Sequence, residues 1–111
     1  MNVHDEKVLL KILEHIQSIQ KYCEGITSED AFTENSMCVE ACVFNLMQIG
    51  ELSQKSLSEE AKARITTIPW AQLYGMRNRI VHGYEGVKMR IVWDTIHYDL
   101  PILAAEIQKY I

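Results

Sequence analysis

The chain has 111 residues, of which 48% are hydrophobic and 23% charged, with a net charge of −4. That balance suits a folded globular chain and excludes disorder, and the length suits one helical domain over residues 1–111. The acidic total excludes a uniformly basic nucleic-acid coat but leaves room for a local basic site.

The first predicted helix runs from about Asp5, a candidate N-cap, to Glu24. Leu9, Ile12, Ile16, Ile19 and Cys23 recur every three or four residues along it, and Gly25 is its stop signal. The connector 26–34 has room for one helical turn opened by Thr27-Ser28-Glu29-Asp30, with Phe32 packed inward. A second long helix spans Asn35 or Ser36 to about Ser53, with Val39, Cys42, Val43, Leu46 and Ile49 as its stripe. Ser58 before Glu59-Glu60 offers another cap in the polar stretch 54–64. Pro69 opens a third helix that Gly83 ends after His82. A last helix from about Val87 to Tyr110 carries Met89, Val92, Trp93, Ile96, Leu100, Leu103 and Ile107. Pro101 removes the donor for the carbonyl of His97 and predicts a kink there. Four long helices with short links make an all-α, antiparallel four-helix bundle with short extra helical turns.

No uncharged apolar run approaches the roughly 18 residues that span a membrane, and acids at Asp5, Glu6 and Glu14 do not fit a secretory leader. Three cysteines cannot all pair within the chain. No CxxC and no zinc-finger Cys/His spacing occurs, so they read as small buried hydrophobes of a cytoplasmic protein, with no metal and no cofactor expected.

One stretch does not read as plain bundle: Arg77-Asn78-Arg79-Ile80-Val81-His82-Gly83-Tyr84. Arg77 falls on the apolar stripe of the third helix, four residues after Leu73 and three before Ile80. A guanidinium there needs either an acid partner such as Glu51 or an anion to bind. His82 is either a favourable partner for the helix dipole or a proton-transfer group. It lies five residues, about 140° around an ideal helix, from Arg77, so the two meet only if the helix unwinds or a second subunit contributes. Asn78, one turn before His82, is placed to fix the imidazole tautomer. Arg77, Arg79, Lys88 and Arg90 form a cationic spot containing a His and a Tyr. An Arg for phosphate and a His for protons suffice to cleave RNA without metal, because the 2′-hydroxyl is the nucleophile. Trp70 and Trp93 read as core or interface anchors.

The motif resembles the RxxxxHxY signature of HepT-like toxins, in the HEPN ribonuclease superfamily. The likeness extends to Ile49-Gly50-Glu51, Ile68-Pro69-Trp70, Gly75-Met76, Gly86-Val87, Ile91-Val92-Trp93 and Leu100-Pro101-Ile102-Leu103. It implies an all-α homodimer whose two motifs share a cleft. It also implies a metal-independent endoribonuclease that leaves a cyclic phosphate, with Arg77 on the scissile phosphate, His82 as general acid/base and Asn78 in support. Arg79, Lys88 and Arg90 are then the RNA-binding candidates. The implied partner is a minimal nucleotidyltransferase antitoxin that transfers AMP to Tyr84. The alternative is a non-catalytic helical partner, or substrate-presenting subunit, of such a nucleotidyltransferase.

Overall fold

The computed structural model describes residues 1–82 and 88–111, and the side chains of residues 1–80 and 88–111. Among them every regular element is helical: α1 (Val3–Tyr22), α2 (Glu29–Glu34), α3 (Ser36–Glu51), α4 (Glu59–Arg64), α5 (Trp70–His82), α6 (Met89–Asp94) and α7 (Leu100–Gln108). Two π-helical turns extend these elements, Leu52–Ser56 after α3 and Thr95–Asp99 between α6 and α7. None of these helices is long and apolar enough to cross a membrane.

Local chemistry sets the boundaries. The side chain of Asn2 accepts from the amide of Asp5 at 2.7 Å, so α1 starts two residues earlier than its acids suggest. Asp5 is therefore not the N-cap. It is buried, and its carboxylate accepts from the amide and hydroxyl of Ser58 at 2.9 and 2.7 Å, tying the start of α1 to the start of α4. Burial alone would raise the pKa of this carboxyl. The Ser58 hydrogen bonds, with the nearby charge of His4 and the N-terminus, outweigh it and hold the group below its ordinary value. Ser28 and Ser58 cap α2 and α4 through their hydroxyls, and Gly25 takes the left-handed conformation (φ 80°) that ends the α1 connection.

The predicted stripes form the core. Leu9, Ile12, Ile16 and Ile19 of α1, Val39, Cys42, Val43, Leu46 and Ile49 of α3, and Val92, Ile96, Leu100, Leu103 and Ile107 of the last helix are all buried in one cluster. Helix α3 is central, packed against α1 and α5. In the last helix the effect of Pro101 is absorbed by the π turn before it, where the Leu100 amide reaches back to the carbonyl of Thr95. Pro101 then sits in the first turn of α7, where the missing N–H costs little.

Candidate functional site

The C-terminal end of α3 meets α5 at a glycine. Gly50 is buried, and a Cβ placed on it would lie 2.5 Å from Cβ of Arg77 and 3.1 Å from the carbonyl oxygen of Leu73. Only a residue without a side chain lets the two backbones approach where Arg77 leaves α5. Glu51, the next residue, lies against the guanidinium, with Oε2 2.6 Å from Nε of Arg77. Nη1 of Arg77 donates to Oδ1 of Asn78 at 2.9 Å, and its Cζ stands 5.8 Å from the ring centroid of Tyr74.

The Arg77 side chain is thus held at several points yet remains 19% exposed. Glu51 is shared with Lys55, whose Nζ lies 2.8 Å from Oε1. The hydrogen bond from Lys55, then the charge of Arg77, keeps the Glu51 carboxyl below its ordinary pKa in spite of the desolvation it suffers. The stripe position of Arg77 is therefore resolved by the acid that the sequence offered, Glu51. Oδ1 of Asn78 accepts from Arg77, which leaves Nδ2 as the group with which it could serve the imidazole.

Helix α5 continues through His82, its last residue. Tyr84 and the stop glycine Gly83, with Glu85, Gly86 and Val87, lie outside the described residues, as does the side chain of His82. Of the basic candidates, Arg79 and Lys88 are exposed. Arg90 is also exposed, but its Nε lies 3.3 Å from Asp94 and 4.0 Å from Glu29, so it contributes less free positive charge than its residue type suggests. Arg79 borders a surface depression lined also by Leu73, Gly75, Met76, Ile91 and Thr95. Both tryptophans pack against the core, as expected. Nε1 of Trp70 donates to the carbonyl of Ile65 at 3.0 Å, and Trp93 stacks on His97 with centroids 3.7 Å apart.

Sequence reasoning placed Gly50 in a stretch that resembles the family but missed the close helix approach that requires it. It also missed that Cys23 joins Cys38 and Cys42 in one cluster at the opposite end of α3.

Comparison with known proteins gives a consistent result. The family description "Ribonuclease HepT-like" matches residues 12–110. The chain is 33% identical over 98 residues, 88% of its length and 86% of the relative, to a protein of Caldanaerobacter subterraneus subsp. tengcongensis named as a "Putative RNase". It is 33% identical over 88% of its length to "Probable ribonuclease HepT" of Thermococcus cleftensis, covering 87% of that protein. A "Putative RNase" of Methanocaldococcus jannaschii is 32% identical over 93% of the chain and 84% of the relative. No solved structure matches the chain.

Proposed function

The chain belongs to the ribonuclease HepT-like family, and on that premise we propose that it is a metal-independent endoribonuclease acting through Arg77 and His82. The observation that carries this reading is the mounting of Arg77. Its Cβ packs on Gly50, its Nε is held by Glu51 and its Nη1 by Asn78, and the side chain still reaches solvent. A guanidinium fixed in this way has lost much of its rotamer freedom before a ligand arrives, which is what preorganised phosphate binding requires.

In the proposed reaction the 2′-hydroxyl of RNA attacks the adjacent phosphorus. His82 removes the hydroxyl proton and delivers a proton to the departing 5′-oxygen, directly or after exchange with water. The products are a 2′,3′-cyclic phosphate and a 5′-hydroxyl. Arg77 neutralises charge on the non-bridging oxygens as the phosphorane develops.

Helical continuity through His82 bears on the subunit question. Arg77 and His82 are five positions apart along α5, which is about 140° around an ideal helix. A homodimer that brings two copies of the motif together supplies the convergence. The open side of Gly75 and the exposed Ile91 (38%) and Ile102 (63%) on the neighbouring helices suit such a contact. RNA would follow Arg79 and Lys88, with Arg90 a lesser contributor. Regulation by a minimal nucleotidyltransferase antitoxin that places AMP on Tyr84 belongs to the same proposal: phosphate added two residues beyond His82 would compete with RNA for Arg77.

The ion pair between Arg77 and Glu51 is the observation that favours the second reading, a non-catalytic partner of a nucleotidyltransferase in which Arg77 serves structure alone. Cleavage of RNA by the purified chain in EDTA, beside His82→Ala, separates the two. Cleavage by the wild type and none by the variant is expected. No cleavage by either, with Tyr84 unmodified by mass spectrometry, would sink the nuclease reading.

A further inference from the structure

The far end of α3 holds a feature that the proposed nuclease does not use. Cys23 caps the C-terminus of α1, Cys38 lies in the first turn of α3, and Cys42 follows one turn later. All three are buried, and their sulfurs lie within 4.8 Å of one another: Cys23 to Cys42 is 3.7 Å and Cys38 to Cys42 is 4.0 Å. From Cys38 to Gly50 is twelve residues, about 18 Å along the helix axis, so this cluster is separate from Arg77.

We propose that Cys23, Cys38 and Cys42 form a three-sulfur binding site for a soft, thiophilic ion, Cu(I). The distances suit the geometry. An ion about 2.3 Å from each of three sulfurs in a trigonal plane separates those sulfurs by about 4.0 Å. The two shorter distances are already within 0.3 Å of that value. A disulfide would instead require two sulfurs to close to about 2.05 Å. The donor set also selects among ions. Soft thiolates favour Cu(I) or Zn(II), but structural zinc is tetrahedral, and no fourth His, Cys, Asp or Glu joins the cluster among the described residues. Three sulfurs complete the shell of Cu(I).

Access and charge fit as well. Cys38 lines a surface depression with Tyr22, Asn35, Met37 and Ala41. Met37 is 82% exposed beside it, so a soft thioether stands next to the entry. Burial pushes the Cys23 thiol up to about 11 and the Cys42 thiol well above its ordinary range. Protonated, these two thiols are neutral and compatible with an apolar core. Cu(I) carries a single positive charge and so offsets one thiolate, the proton it displaces passing to water.

The test is an anaerobic titration of the reduced full chain with Cu(I) presented as its bicinchoninate complex. One equivalent per chain should be withdrawn from the chelator, X-ray absorption should show three sulfurs at about 2.3 Å, and affinity should fall as pH falls. Cys38→Ser and Cys42→Ala should each weaken binding more than about 100-fold, beyond the 10–100-fold cost of losing an outer-shell partner. Circular dichroism identifies any variant that fails to fold, and Cys38→Ser, next to the surface, then carries the test. Failure of the wild type to take Cu(I), or undiminished uptake by folded Cys38→Ser, would overturn the proposal.

Discussion

Helix α3 shares one apolar core with both of its main neighbours, Met76 and Ile80 of α5 included, but at its C-terminal end the contact with α5 changes character. Toward α1 it contributes to an apolar core with Leu9, Ile12, Ile16 and Ile19, reinforced by side-chain hydrogen bonds from His15 to Asn45 at 2.7 Å and from Cys38 to the carbonyl of Tyr22 at 3.4 Å. Toward α5 its last residues bring backbone against backbone at Gly50 and set Glu51 against Arg77. The first seam gains stability from area removed from water. The second places a charge pair at 19% and 34% exposure, where such pairs contribute little to folding. Stability and positioning are thus divided along one helix, and substitutions on the two seams should separate them.

The largest expected effect is at the polar seam and concerns rate. Arg77→Ala should lower RNA cleavage about 10²–10³-fold, the usual consequence of losing one preorganised charge donor, while costing about 1 kcal/mol or less of stability. Single-turnover cleavage and urea denaturation of the same preparation measure both. A variant that instead lost several kcal/mol would mean that the two seams are not distinct.

Ile16→Ala at the apolar seam should do the reverse. A fully buried isoleucine replaced by alanine costs about 2–5 kcal/mol, read as a lower urea midpoint, and cleavage per folded molecule should persist. Asp5→Ala removes a buried acceptor and leaves the Ser58 amide without its partner, at about 1–3 kcal/mol near neutral pH. Because the folded-state pKa of Asp5 lies below its ordinary value of 3.8, its contribution is present above about pH 4 and disappears as pH falls through the lower folded value. Urea midpoints against pH should therefore converge for wild type and variant in acid. A constant gap would contradict the role of the carboxylate.

Gly50→Ala links the two seams. Overpacking against Arg77 Cβ and the Leu73 carbonyl costs about 1–3 kcal/mol, from which about 1 kcal/mol of regained helix propensity is subtracted. Cleavage should fall by more than that small loss implies, because α5 is displaced where Arg77 leaves it. A stabilised and fully active Gly50→Ala would show that the close approach is not needed.

Much of the bundle was legible because its signals are local. Hydroxyl caps at Ser28 and Ser58, the positive-φ Gly25 and the apolar periods of α1, α3 and the last helix all lie within a few residues of what they determine. Arg77 was legible as a conflict, a cation on an apolar stripe, with Glu51 one acid that could answer it and a bound anion the alternative. What the sequence hid is set by residues far apart along the chain. Asp5 reads as a cap until Ser58, 53 residues on, claims its carboxylate. Cys23 reads as the end of a stripe until α3 carries Cys42 to it. The π turns were not expected either, since they arise from how Pro101 and the end of α3 are accommodated rather than from a residue pattern.

The contact between Asp5 and Ser58 also bears on how long the native state lasts. Closing a flexible loop of 53 residues costs about 3.5 kcal/mol of chain entropy beyond a constant. A polar contact of that span is a poor nucleus and belongs among the last to form. Interactions absent from the folding transition state act on the escape rate. Loss of this clasp should therefore leave the refolding limb of a chevron nearly unmoved and lower the climb out of the native well, shortening the lifetime of the folded chain.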